Sequence, residues 1–389
     1  MAKKALIFSL AYYPHLIGGA EVAVKEITDR ISPDEIEFDM ITLNAGKGNF
    51  ERIGNVNVYR VGPKIHVKGT TMPRISFVIK SIYVFLAFIK ALLLHRKRKY
   101  NFTWSIMASF NAFSALFFKM VHKNVPFLLN LQEGDSLDHI KKALGPMYFL
   151  YVKIFERADR IHALSHFLGE FGRGLGAQCP IDIVPNGVNF NFFSQKPTAG
   201  QLKALASELA LDSFDTILIT TSRLVQKNAV GDIIDSLTFL PPSTKLLILG
   251  VGPLEKMLKE KTTLQKLDDR VRFVGFVPHR ELPIYLHASH IFIRPSISEG
   301  FGVSFMEAMA ADVPVIATPV GGIPDFLKDG ETGLFCDVAN PQSIAQKVEK
   351  LMKDKESRDY IVKNAREMVR TKYDWNLVAD KMREVFGKV

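Results

Sequence analysis

The apolar residues of this chain fall mostly in short unbroken runs joined by stretches where they recur every three or four positions. Residues 5–10 form the first run; past Pro14 and Gly18-Gly19 the spacing turns helical over 20–31. Strand-like runs follow at 38–43 and 56–61, each bounded by Gly, Asn or Pro. A long apolar helix is predicted over 75–94, then strand 102–108, helix 111–123, strand 126–132 and two runs at 161–164 and 181–184. After Pro185-Asn186-Gly187 the pattern restarts. Strands are predicted at 216–221, 245–249, 271–274, 291–293 and 313–317, with helices at 229–239, 254–261, 281–288, 304–311 and 323–328, and helices close the chain. Strands apolar throughout, alternating with helices, describe parallel sheets covered on both faces. The predicted fold is therefore α/β, two doubly wound domains. Their boundaries are 1–185 and 186–372, with ligands expected beyond the carboxyl ends of the strands.

Length agrees with that division, because 389 residues exceed the roughly 250–300 at which one core stops growing. Two cysteines, Cys179 and Cys336, cannot make a disulfide framework and point to a reducing, cytoplasmic compartment. Charge is more informative. The net charge is +10, and between Glu51 and Glu133 there is no acidic residue against thirteen basic ones. Such asymmetry favours an anionic partner for the first half: nucleic acid, a lipid surface or a phosphorylated substrate. A basic surface kept for solubility is the plainer alternative. Within the stretch, sixteen of the twenty residues 75–94 are apolar and His95-Arg96-Lys97-Arg98-Lys99 follows. Twenty residues could span a bilayer, but Lys80 and Lys90 interrupt the run, and a mid-span lysine costs about 2.5–3.5 kcal/mol. A core helix, or one lying on a membrane with a basic end, fits better than a spanning one.

Three segments carry candidate chemistry. Gly18-Gly19, after the first strand and opening a helix, would let backbone approach an anion, although a plain connecting turn looks the same. Arg223 and Lys227 follow the first strand of the second half, where a guanidinium and an ammonium could grip a diphosphate; surface cations in a loop would look no different. The strongest is Ser298-Glu299-Gly300-Phe301-Gly302-Val303-Ser304-Phe305-Met306-Glu307. There, two carboxylates, loop amides and a helix start could hold a polyhydroxylated ligand.

With these go Ala158-Asp159-Arg160, Val184-Pro185-Asn186-Gly187-Val188, Gly250-Val251-Gly252-Pro253-Leu254, Val274-Gly275-Phe276-Val277 and Thr318-Pro319-Val320-Gly321-Gly322. In this order they resemble, over nearly the whole chain, the retaining glycosyltransferases of the GT-B fold, family 4 (group 1), with the EX7E signature at Glu299 to Glu307. The resemblance implies a metal-independent hexosyltransferase that needs no cofactor and uses a nucleotide-diphosphate sugar as co-substrate. In it, Glu299, Arg223 and Lys227 would be catalytic, the two cations neutralising the departing diphosphate and Glu299 stabilising the donor sugar. Phe301, Gly302 and Val303 would present amides to that sugar, Glu307 would hold the ribose diol, and Gly275 and Phe276 would read the base. Gly18 and Gly19 would close over the phosphates, with Gln132 and Asn186 completing the substrate site. Residues 373–389 would form a helix returning to the first domain.

Three positions depart from the family pattern: Gln132 where many relatives have His, Asn228 where Gly is usual, and Asp325 where Glu is usual. Gln132 cannot carry a proton, while Asn228, which tolerates left-handed backbone almost as Gly does, and Asp325 read as tolerable variation. His279 and His287 read as surface or packing residues. The basic first half then predicts a lipid-linked or phosphorylated acceptor and peripheral association with the inner face of an anionic membrane, in cell-envelope polysaccharide or glycolipid synthesis. A soluble sugar-phosphate acceptor is the alternative. A non-catalytic nucleotide-sugar scaffold would lack the cations and carboxylates that are present. No nucleic-acid partner is expected, because Phe77, Tyr83, Phe85 and Phe88 sit in an apolar helix rather than among exposed arginines.

Overall fold

A computed structural model describes residues 2–14, 18–45, 48–65, 76–134 and 137–389. His15 to Ile17, Asp135 and residues 66–75 of the basic stretch, named above, lie outside them. The chain forms two units, Met1–Asn186 with Trp375–Val389, and Gly187–Asp374.

The first unit is built on β1 (Lys3–Phe8), β2 (Ile36–Leu43), β3 (Phe50–Ile53), β4 (Val56–Val61), β5 (Phe102–Ile106), β6 (Phe127–Leu131), β7 (Arg160–Ala163) and β8 (Ile181–Ile183). They form one sheet in the order β3-β4-β2-β1-β5-β6-β7-β8, parallel except for β3, so the strand order reverses between β1 and β5. Strand β3 is absent from the sequence expectation because Phe50-Glu51-Arg52-Ile53 is an exposed hairpin edge without an apolar run. The helices Leu137–Leu144, Tyr148–Arg157, His166–Gly174 and Ala199–Glu208 were likewise not predicted. The last helix, Trp375–Gly387, packs in this unit, with the Phe386 ring against Phe38, Phe102 and Trp104.

The apolar helix runs Phe77–Arg98, longer than predicted at its basic end. Tyr83, Val84, Ala87, Ala91 and Leu94 are its buried face, and the Tyr83 hydroxyl lies 3.0 Å from the carbonyl oxygens of both Ser9 and Ile41. Val78, Ile82, Phe85, Ile89 and Leu93 form an exposed apolar stripe opposite, ending near exposed Arg96, Lys97 and Lys99. By length and composition alone the helix could cross a membrane, but one face belongs to the core.

The acid-free stretch is less bare in three dimensions than in sequence. Arg60 pairs with Glu51 at 2.8 Å, Arg98 with Asp39 at 2.9 Å and Glu37 at 2.5 Å, and Lys119 with Asp159 at 2.7 Å. Among the described residues, chain reversal thus brings acids to Arg60, Arg98 and Lys119, while Arg96, Lys97 and Lys99 form an exposed basic cluster.

The second unit contains β9 (Thr216–Thr221), β10 (Thr244–Leu249), β11 (Val271–Gly275), β12 (Ile291–Arg294), β13 (Val315–Ala317) and β14 (Leu334–Phe335). All are parallel, in the order β11-β10-β9-β12-β13-β14. The order reverses between β9 and β12, which makes their carboxyl ends the switch point where such sheets bind ligands. The helix predicted at 323–328 is only a 3-10 turn, Ile323–Asp325, because Lys328 N–H donates to Thr332 Oγ1 and that hydroxyl donates to Phe326 O, both at 2.9 Å, in place of further helix bonds.

Candidate functional site

Arg223 leaves the carboxyl end of β9 in a loop held by backbone. Leu224 N–H donates to Val251 O at 3.1 Å, and Leu254 N–H to Leu224 O at 3.1 Å. A Cβ on Gly250 would stand 1.9 Å from Ser222 O, and one on Gly252 2.4 Å from Leu224 O, so both glycines exist for this close approach. Arg223 is exposed and Lys227 half-buried. Lys227 sits in a 3-10 turn whose carbonyl accepts from Ile297 N–H at 2.7 Å, tying this loop to the segment after β12.

Asn228 is not left-handed; Ala229, at φ +50°, takes that role. Asn228 is instead buried, and its Nδ2 donates to Arg223 O at 2.7 Å while its Oδ1 accepts from Arg294 Nη2 at 3.2 Å.

Glu299 follows β12. Its carboxylate is ion-paired with Arg294 and accepts Gly300 N–H at 3.1 Å, with both paired side chains only 12% exposed. Gly302, at φ +90°, precedes the helix Val303–Ala310 and has no side chain to cap it, so the first-turn amides face outward from the helix start. Phe301 is buried against Phe326 and Tyr373, which leaves its backbone as its contribution. One helical stretch later, Glu307 is buried, and His279 Nε2 donates to its Oε1 at 3.0 Å. The surface-or-packing reading of His279 is therefore incomplete: the ring stacks on Phe192 and also meets a site carboxylate. A carboxylate has room for further donors beside that one. His287 does pack, donating to Phe193 O at 2.9 Å. Gly275 O accepts Gly250 N–H at 2.7 Å, and Phe276 is exposed.

Thr220 Oγ1, Ser222 Oγ, Arg294 Nε and Ser296 Oγ are buried at the ends of β9 and β12 and have no hydrogen-bond partner among the described residues. Four such atoms at one switch point are dense by the standard of folded proteins, where nearly every buried polar group is paired.

In the first unit, Gly18 N–H donates to Glu21 Oε2 at 2.7 Å, and burial raises the Glu21 carboxyl above its ordinary range. The Gly18 amide is thus engaged, while a Cβ on Gly19 would meet open space. Gln132 and Asn186 are brought together: Asn186 Nδ2 donates to Gln132 Oε1 at 3.2 Å, Gln132 Nε2 to Asn130 Oδ1 at 2.6 Å, and Asn130 Nδ2 to His162 Nδ1 at 2.9 Å. His162 Nε2–H donates onward to Val184 O at 2.7 Å. Asn186 Oδ1 remains a buried acceptor without a partner among the described residues.

That chain requires a neutral imidazole at His162, and burial lowers its pKa from 6.5 to about 4. A histidine depressed on folding contributes fully above about pH 6.5, and its contribution is lost as pH falls towards 4. The window corresponds to about 3 kcal/mol. Melting midpoints of the wild-type protein should fall steeply between pH 6.5 and 4, and His162→Gln should show a shallower slope. Equal slopes would contradict the assignment. Among the described residues, no group of three His, Cys, Asp or Glu could hold a metal ion.

Comparison with known proteins bears on these features. Residues 203–368 match the family model of glycosyl transferases group 1, and residues 17–192 that of glycosyltransferase family 4. Alpha-monoglucosyldiacylglycerol synthase of Acholeplasma laidlawii is 23% identical over 349 residues, covering 85% of this chain and 83% of its own. Among solved structures, Anabaena HepE in complex with UDP and glucose aligns with a TM-score of 0.79 at 19% identity, covering 100% of both chains. Sucrose-phosphate synthase from Thermosynechococcus elongatus aligns at 0.81 and 22% identity, covering 100% of this chain and 99% of its own.

Proposed function

The chain belongs to the glycosyltransferases of group 1 and family 4, with the GT-B fold, and we propose that it is a metal-independent, retaining hexosyltransferase. Its donor is a nucleoside diphosphate sugar and its acceptor a lipid-linked or phosphorylated sugar. The observation that carries this reading is the convergence of Arg223, Lys227 and Glu299 on the β9/β12 switch point beside four unpartnered buried polar atoms.

In the proposed mechanism, charge grows on the diphosphate as the bond from its oxygen to the anomeric carbon breaks. Arg223 and Lys227 meet that charge, while the amides at Phe301, Gly302 and Val303 hold hydroxyls of the donor sugar. Glu299 faces the sugar, which becomes positively charged as the bond breaks. The acceptor hydroxyl attacks from the face the diphosphate leaves, passes its proton to the leaving phosphate oxygen, and configuration is retained. Glu307, with His279 orienting one of its oxygens, holds the ribose diol.

A calorimetric panel of UDP, GDP and ADP, each without and then with Mg²⁺, tests the donor half. One nucleotide should bind without metal, and Arg223→Ala should weaken it by at least about tenfold, the order of one charge-assisted contact. UDP is the first expectation, since HepE was solved with it. Failure of all three nucleotides to bind would remove the donor reading.

The acceptor reading rests on the first unit. The exposed stripe at Val78, Ile82, Phe85, Ile89 and Leu93, running to Arg96, Lys97 and Lys99, is apolar on its length and basic at its end. That combination suits an anionic membrane surface at its headgroup level. A relative named for glycolipid synthesis points the same way. Flotation should show binding to phosphatidylglycerol vesicles that high salt and Phe85→Ser each weaken, and little binding to phosphatidylcholine alone. Binding indifferent to lipid charge and salt would leave the soluble sugar-phosphate acceptor, to which the sucrose-phosphate synthase likeness lends weight.

A further inference from the structure

Arg294 touches several parts of the second-unit site at once. It ends β12, and its guanidinium lies over the Phe305 ring at 5.4 Å, with most of the side chain buried. Nη1 donates to Ser304 Oγ at 2.9 Å, on the first turn of the helix Val303–Ala310. Nη2 donates to Asn228 Oδ1 at 3.2 Å and is ion-paired with Glu299. Asn228 in turn donates to Arg223 O at 2.7 Å. One planar cation therefore meets the carboxylate turn, the start of the amide-bearing helix and, through Asn228, the loop that carries Arg223 and Lys227.

We infer that Arg294 is a positioning residue, which sets the Glu299 carboxylate relative to the Arg223 loop and to the first turn of helix Val303–Ala310. The inference rests on the reading of Glu299 as the group facing the donor sugar. A guanidinium suits the task because its donors leave in fixed directions, whereas an ammonium is a point charge that cannot reach three partners in one geometry. The pair is buried, so removing either member alone leaves the other charged and without its partner, which costs far more than removing both. Asn228 does work here that a glycine could not, since only a side chain with both a donor and an acceptor can bridge a carbonyl and an arginine.

The test uses the full chain with UDP and UDP-glucose as probes, and compares wild type with Arg294→Lys, Arg294→Met, Asn228→Ala, Glu299→Gln and the Arg294→Met/Glu299→Gln double variant. UDP affinity should stay within about threefold in Arg294→Lys, while kcat for UDP release from UDP-glucose falls at least about tenfold, a loss confined to the transition state. Asn228→Ala should show the same split with a smaller fall. The melting midpoint should drop in Arg294→Met and recover in the double variant, although turnover does not. Wild-type kcat in Arg294→Lys, or UDP affinity falling in step with kcat, would overturn the positioning role. Failure of the wild type to bind any nucleotide would overturn the donor reading instead. The melting cycle still decides the inference in that case, because strictly additive losses in Arg294→Met and Glu299→Gln would show that the two residues are not coupled.

Discussion

Gly321→Ala is expected to lower the melting midpoint of the second unit by roughly 6–12 °C and to abolish turnover. Gly321 sits at φ +56°, and a Cβ there would stand 1.9 Å from Glu299 O. The neighbouring Gly322 N–H donates to that same carbonyl at 3.0 Å. The added methyl group cannot be absorbed by a flexible side chain, so the Glu299 turn must move. Left-handed backbone costs roughly 1–2 kcal/mol for a residue with a side chain, and overpacking adds about 1–3 kcal/mol. Taken as about 3 kcal/mol, at about 2–4 °C for each in a domain of this size, that gives the range stated. Gly330→Ala is the control. Its φ of +74° carries the same backbone penalty, but nothing lies within 4 Å of the new Cβ, so its midpoint should fall by only a few degrees and its activity should persist. Equal losses in the two variants would mean that backbone conformation alone matters and that contact with Glu299 does not.

Glu299→Ala should reduce turnover about 10²- to 10³-fold, the size of effect found when a group aimed at developing charge is removed. Lys227→Ala should bring kcat below a tenth of wild type through the opposite charge, at the diphosphate. The two differ in their side effects. Losing Glu299 strands the Arg294 cation, whose side chain is only 12% exposed, so the alanine variant should also melt early. Glu299→Gln keeps the shape without the charge, and should separate the catalytic loss from the structural one. Near-wild-type turnover in Glu299→Gln and Lys227→Ala would remove both residues from the reaction.

Much of the fold is legible because parallel strands buried on both faces carry no polar phase. Within the runs at 216–221, 245–249 and 291–293, Ile217–Ile219, Leu246–Leu249 and Ile291–Ile293 are apolar without interruption, and the structure places β9, β10 and β12 there. Legibility fails where burial is partial. Phe50-Glu51-Arg52-Ile53 is a solvent-facing edge, and the helix at 199–208 buries only Leu205. The helix expected at 323–328 stops after one turn because Thr332, four to six residues further on, takes the Lys328 amide and meets the Phe326 carbonyl, a contact that apolar spacing does not reveal.

At the candidate site, residue types in motif order point to Arg223, Lys227, Glu299 and Glu307 as the proposed site residues, because loop glycines and charged residues leave a signature along the chain. Arg294, Asn228 and His279 leave none. Arg294 reads as the polar end of a strand, Asn228 as a substitute for glycine, and His279 as a surface or packing residue. Their partners lie at Glu299, Arg223 and Glu307, and only chain reversal brings Arg294 to Asn228 or His279 to Glu307. The chain of Asn186, Gln132, Asn130 and His162 likewise assembles from three strand ends, with the histidine neutral because burial makes its charge costly.

Sequence by itself determined the two doubly wound domains, the chemical types gathered around the second sheet and the concentration of basic charge in the first half. Periodicity and local composition are properties of neighbouring residues, so they survive in one dimension. The tertiary structure alone decided which of the described cations in that half are paired, where the exposed stripe of Phe77–Arg98 lies, and how Arg294 meets Glu299. Each of those depends on distance and solvent exclusion between segments far apart in the chain, and a buried charge or hydrogen bond has no meaning until its partner arrives.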